Sequence, residues 1–199
     1  AGARRAAAVS AGGGMRMGGA LAVAVLLGIG GPQMTGSGVD GVVLHSPAGS
    51  EEVLALNGSG RAPAALDAAT LRARGEKTVP LRSADAVTIP TAIDAFCRLS
   101  ESHGKLGLDA LLAPAILYAE EGVPVAPRVA FAWTNDAGTL QGRARDHFLW
   151  NGKPPAVGDI FRAPGQAEVL RRVAKHGRDA FYTGEIAEDM VAALSLITI

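Results

Sequence analysis

The chain has 199 residues, 48% hydrophobic and 19% charged, with 26 glycines, which is enough to bury a real core and is the make-up of a turn-rich globule rather than a disordered segment. Nineteen Lys plus Arg balance nineteen Asp plus Glu with no block of like charge, which argues against a nucleic-acid footprint. The single cysteine, Cys97, excludes an internal disulfide framework and a multi-thiolate metal site, and it suits a periplasmic or a cytoplasmic compartment.

Residues 1–12 are Ala-rich and helix-compatible, and the glycines at 12–14 end that stretch. Residues 18–31, GGALAVAVLLGIGG, form the one long apolar run. Its 14 residues fall short of the roughly 20 that cross a bilayer, and Ala and Leu outnumber Ile and Val, which favours a buried helix over a strand. With Arg4, Arg5 and Arg16 upstream the run faintly imitates a signal peptide, but no small-residue cleavage pattern follows. Residues 36–41, GSGVDG, match the glycine fingerprint of dinucleotide folds by letter. Val42, Val43 and Leu44 follow where a helix would have to open, so a turn entering a strand is expected instead. Residues 42–45 and 52–56, separated by SPAGS, read as a β-hairpin, and NGSGRAP at 57–63 as a loop.

Pro90 suits the first position of a helix running to His103, with Ile93, Phe96 and Cys97 on one face and Gly104 as its stop. Leu108, Leu111, Leu112, Ala115 and Ala119 then recur at the spacing of a core-facing helical stripe ending at Gly122. Pro114 is expected to kink that helix or divide it. Residues 166–176 repeat the pattern with Ala167, Leu170, Val173 and Ala174, and Gly177 stops them. Thr183 is a candidate N-cap for a helix over 185–194, where Glu185 would meet the positive end of the dipole. LITI at 196–199 reads as a strand that pairs with something outside the chain.

His45, His103, His147 and His176 are far apart in sequence and lack Cys or carboxylate neighbours at ligand spacing, so no metal is expected, nor any organic cofactor. Surface or helix-end positions suit them better, above all His103 and His176 beside their stop glycines. The acid pairs Glu51–Glu52, Glu120–Glu121 and Glu188–Asp189 lie in hydrophilic surroundings, whereas acid–base catalysis needs a desolvated carboxylate. Asp40, among glycines, is the acid expected to be buried and hydrogen-bonded. Cys97 reads as packing. No Ser stands in a nucleophile-elbow setting, and Ala1 cannot act as an N-terminal nucleophile. By inventory, the chain holds no self-sufficient catalytic apparatus.

Several segments together resemble the gamma-glutamyltranspeptidase family nearly end to end. They are TGSGVDG (35–41), AVTIPTAIDAF (86–96), HGKLGLDALLAPAILYAEEGVPV (103–125), FLWNGKPPAVGD (148–159) and FYTGEIAED (181–189). The resemblance implies an α+β fold, the helix-rich part of a four-layer αββα sandwich of the N-terminal-nucleophile hydrolase type. It implies that residues 1–199 are a single domain, an incomplete large-subunit segment of a precursor that cleaves itself. The partner would be a small subunit from the same precursor whose N-terminal Thr attacks a small amide or gamma-glutamyl substrate to form an acyl-enzyme; no membrane span is implied. Met15 and Gly18 stand where relatives usually carry Asn and Asp, and Thr91 replaces a usual Gly.

The family's transpeptidases place an Arg three positions before an Ala-Pro pair to grip the donor's carboxylate. Here the pair is Ala62-Pro63, that position is Ser59, and Arg61 is the nearby cation. Two residues of extended loop displace a side chain by roughly 6–7 Å, and a lost charge-assisted contact costs on the order of 1.5–3 kcal/mol. Ser59 and Arg61 are therefore the candidate substrate-binding residues, and branches acting on other small amides, such as oxamate-type amidohydrolases and acylases, resemble this loop better. True gamma-glutamyl transfer or glutathione hydrolysis, and a catalytically inactive structural or binding homologue, are the alternatives.

Overall fold

The computed structural model describes residues 16–47 and 49–195. The Ala-rich start and the LITI terminus lie outside the described residues. The apolar run folds as helix α1, Arg16–Gly30. The hairpin follows as β1, Gly41–His45, and β2, Leu54–Gly58, antiparallel with Gly41 opposite Gly58 and His45 opposite Leu54. The second strand thus starts and ends two residues later than the sequence suggests, drawing Asn57 and Gly58 out of the expected loop. After α2, Ala68–Ala73, come α3, Ala92–His103, and α4, Leu108–Glu121. Strand β3, Val123–Pro124, precedes α5, Pro127–Asp136, and α6, Arg143–Phe148. Strand β4, Ile160–Phe161, pairs antiparallel with β3 and leads into α7, Pro164–His176, α8, Asp179–Tyr182, and α9, Gly184–Ser195.

Helix α1 is the spine. Leu21, Val25 and Ile29, four residues apart on one stripe, each enter a different cluster of the core. Leu21 meets Leu99 and Leu111, with Val43 and Leu56 of the hairpin packed over them. Val25 meets Ile93, Cys97, Leu112, Ala115, Leu170, Val173 and Phe181. Ile29 meets Ala119, Val125, Trp133, Phe161 and Ala167. Because Leu111, Ala115 and Ala119 visit the three clusters in the same order, α4 runs parallel to α1; α7, from Ala167 to Val173, runs the other way. Each fully buried Val, Leu or Ile contributes on the order of 1.5–3 kcal/mol, and this shared stripe outweighs local propensity.

That balance explains Pro114. It is buried inside α4, which continues as one helix from Leu108 to Glu121. The missing N–H costs one backbone bond, but dividing the helix would take Leu111, Leu112, Ala115 and Ala119 out of register with the core. The helix ends at Gly122, whose φ of 96° favours glycine and where a Cβ would overlap the Ile160 side chain. The chain turns there into the short β3–β4 ladder, and the Ala163 amide donates to the Ala119 carbonyl at 2.8 Å, tying the start of α7 to the last turn of α4.

One helix start differs from expectation. Helix α3 begins at Ala92 with Thr91 as its N-cap, so Pro90 stands outside it. Thr183 lies between two helices, directly before the first residue of α9 as expected and also at the end of α8, where its hydroxyl donates to the Asp179 carbonyl at 2.7 Å. Helices α2, α5 and α6 carry no long apolar period, although Asp67 caps α2 by accepting the Thr70 amide at 2.7 Å and Pro127 occupies the first turn of α5. No described helix is long and apolar enough to cross a membrane.

Leu170, with no exposed surface, lies at the junction of α4 and α7. Leu170→Ala is expected to destabilise the protein by about 2–5 kcal/mol, whereas Val42→Ser, at a position 67% exposed on the outer hairpin face, should stay within about 0.5 kcal/mol; denaturant midpoints of the two variants check the contrast.

Candidate functional site

The loop that leaves β2 is held to the segment before α3 by backbone and side-chain bonds. Asn57 Oδ1 accepts the Ser59 amide at 3.0 Å, an Asx turn that folds the chain back on itself. The Arg61 carbonyl accepts the Ile89 amide at 3.0 Å. Between them Gly60 passes so close that a Cβ would overlap the Ile89 carbonyl oxygen and crowd Asp40. Asp40 is exposed rather than buried as its glycine neighbours suggested, but its carboxylate is well used. Oδ2 accepts from Thr88 Oγ1 at 2.9 Å and Oδ1 from Thr91 Oγ1 at 3.3 Å. The Thr91 hydroxyl is also in reach of the Gly58 carbonyl, and its one proton serves the two acceptors in turn.

The same segment opens α3, whose first amides have no partner within the helix. The Ala92 amide donates to the Val39 carbonyl at 3.0 Å. The Asp94 amide donates to Tyr182 Oη at 3.0 Å, while that hydroxyl donates to the Pro90 carbonyl at 2.8 Å. Burial pushes the Tyr182 phenol above its ordinary range, so the hydroxyl keeps the proton it donates. One turn along, the Asp94 carboxylate lies between two cations, Arg98 Nε at 2.8 Å and Arg178 Nε at 2.7 Å.

These pieces enclose a cleft of about 380 Å³, lined by Ser59, Arg61, Ile89, Thr91, Asp94 and Arg98 among others. The two residues singled out in the loop therefore face one cavity. Arg61 is exposed, and its guanidinium has no hydrogen-bond or ion-pair partner among the described residues. Thr91, Asp94 and Arg98 were not marked as site residues by sequence; the one available signal was the Asp94–Arg98 spacing of four on a helix. The lining offers cations and hydroxyls but no His, so no hydroxyl in it has an imidazole base at hand. A larger cleft of about 680 Å³ between α7 and α9 is lined by cations and acids largely paired with each other, Arg172 with Glu168 and Glu185 among them. Those bonds raise the Arg172 pKa further.

Folding brings His45, at the end of β1, onto His103, at the end of α3, with ring centroids 4.2 Å apart. Among the described residues no group of three potential metal ligands forms. His147 packs edge-on against Phe148 and Phe161, and burial lowers its pKa. Cys97 is a packing residue, 1% exposed, whose thiol is pushed up to about 11, first by burial and then by Glu101 and Asp94.

Comparison with known proteins follows this geometry. The family model described as gamma-glutamyltranspeptidase matches residues 4–196. The glutathione hydrolase-like YwrD proenzyme of Bacillus subtilis is 32% identical over 178 residues, 88% of this chain and 34% of that protein. The oxamate amidohydrolase proenzyme of Klebsiella pneumoniae is 33% identical over 175 residues, 83% of this chain and 32% of that protein. A solved cephalosporin acylase from Bacillus halodurans superposes with a TM-score of 0.88 at 34% identity, covering 96% of this chain and 37% of that one. The Helicobacter pylori gamma-glutamyltranspeptidase reaches 0.88 at 22% identity, covering 97% and 57%, which bears on the fold alone. The α+β, helix-rich fold is thus shared with these proteins, and the chain spans about a third of the length of the curated relatives it matches. Both of these curated relatives are named as proenzymes.

Tyr182→Phe removes one bond to each of two backbone groups at the start of α3 and is expected to cost about 1–3 kcal/mol, read as a fall in denaturation midpoint. Cys97 should resist alkylation in the folded protein at pH 8. Its raised pKa contributes stability that is complete below the ordinary value of 9.0 and is lost as pH climbs towards about 11; alkylation by iodoacetamide at the rate of an unfolded control would contradict this.

Proposed function

Because the chain belongs to the gamma-glutamyltranspeptidase family, we propose that it is the large-subunit segment, one domain over residues 1–199, of an autoprocessed amide hydrolase or acyltransferase. The nucleophile in this reading is the N-terminal Thr of a small subunit cut from the same precursor. Its Oγ adds to the substrate's amide carbon while its proton passes to the Thr's own amine. The C–N bond then breaks, the departing nitrogen takes that proton, and water or an acceptor amine releases the acyl group.

The share of the work assigned to this chain is to build one wall of the acyl pocket and grip the polar end of the donor. The observation that carries this is the cleft at the end of β2, where Ser59, Arg61 and Thr91 converge and Arg61 is without a protein partner among the described residues. An Arg with an empty fork is suited to a carboxylate, which it binds bidentately. Ser59 in place of the family's Arg, and a relative named oxamate amidohydrolase, favour a small anionic amide. A relative named glutathione hydrolase-like keeps a gamma-glutamyl donor as the second reading. Turnover of a gamma-glutamyl anilide against oxamate and acyl amides separates the two.

In the full-length precursor, Arg61→Ala is expected to raise KM for an anionic amide at least about tenfold while leaving self-cleavage intact. Unchanged kinetics would remove Arg61 from the site. N-terminal sequencing of the purified protein should find a companion chain that begins with Thr; a single uncleaved polypeptide without amidase activity would instead mark a structural or binding homologue.

A further inference from the structure

We propose that Arg98 is a second anion contact of this cleft, a specificity-determining cation that selects amides bearing a carboxylate over neutral ones; this rests on the function proposed above. Arg98 projects from α3 into the cleft that holds Arg61. Its Nε is 2.8 Å from Asp94 Oδ2, and the other oxygen of Asp94 is 2.7 Å from Arg178 Nε. One carboxylate is therefore divided between two guanidinium groups, and this triad carries a net positive charge.

The arrangement holds Arg98 without using it up. A guanidinium presents five N–H donors in a planar fork, so pairing through Nε leaves both terminal nitrogens, which have no partner among the described residues. Asp94 is anchored in turn, since its side chain is only 19% exposed and its own amide is bonded to Tyr182. A solvated surface pair would have both side chains mobile, whereas here the Asp half is fixed by the core-packed α3 and by Arg178.

The charge balance of the cleft points the same way. Its charged lining consists of Arg61, Arg98 and Asp94, a surplus of one positive charge; behind it, Arg178 on Asp94 and Asp40 on Thr91 offset each other. The chain as a whole is neutral, so this is a local concentration of positive potential in a concave site, the condition under which field lines focus on an anionic ligand. Placing the cation on a helix, two turns from the Asx-turn loop, gives the pocket an anion contact that does not depend on residue 59.

The test uses the full-length precursor with two matched pairs of amides, oxamate with oxamide and succinamate with succinamide. Arg98→Gln is expected to lower the preference for the carboxylate member at least about tenfold, carried by KM rather than kcat. Arg98→Lys should restore part of it, and Asp94→Asn, which frees the Arg98 side chain, should lower it as well. An unchanged preference in Arg98→Gln, or an equal loss on charged and neutral amides, overturns the inference. If Arg61→Gln alone abolishes the preference, the proposed function stands and only the role of Arg98 falls; a processed protein that cleaves no amide of either kind overturns both.

Discussion

The start of α3 is the point on which the site depends. A helix leaves its first amides without internal partners, and here two of them are met from remote parts of the chain while the residue before the helix is tied to a third. Val39 supplies one carbonyl, Tyr182 one hydroxyl, and Thr91 turns its side chain outward to Gly58 and Asp40 instead of capping its own helix. Tyr182 acts twice, accepting from Asp94 and donating to Pro90. Segments separated by 88 to 92 residues are thereby fixed to one another at a single helix end. The cleft is the space these bonds leave between the hairpin loop and the helix.

How much of this could be read beforehand follows from the range of each interaction. The stripes on α4 and α7 and the stop at Gly122 are local patterns that appear where the residues indicate, and the hairpin forms with its second strand two residues further on. Pro90 was misplaced because its role is settled by a partner elsewhere, Tyr182, and the bond of the Thr183 side chain back to α8 was not foreseen either. Asp40 combines both cases. Its hydrogen bonds could be anticipated, whereas its exposure depends on how the loop folds over Thr88 and Thr91. Ser59 and Arg61 were marked by their places three residues and one residue before an Ala-Pro pair, and both line the cleft. Arg98 was not marked, since nothing in the sequence says that residue 98 shares a cavity with residue 61.

The loop after β2 separates a fixed backbone from side chains that face the cleft. Gly60 cannot carry a side chain without striking Ile89, so the loop's path is fixed at its centre. The residues on either side remain free to vary in chemistry. Ser59 and Arg61 flank that glycine, tied to the rest of the loop through the Ser59 amide and the Arg61 carbonyl and not through their side chains. Specificity can drift there without refolding the hairpin or α3.

The hairpin has a consequence for handling the chain by itself. Its inner face, Val43 and Leu56, packs on the core, but Val42 and Leu44 on the outer face are 67% and 69% exposed. Among the described residues no third strand borders either rim of this sheet, which lies beside that greasy surface. Such rims recruit further strands, so a preparation of this chain alone would tend to self-associate through ladder extension and would be best kept dilute.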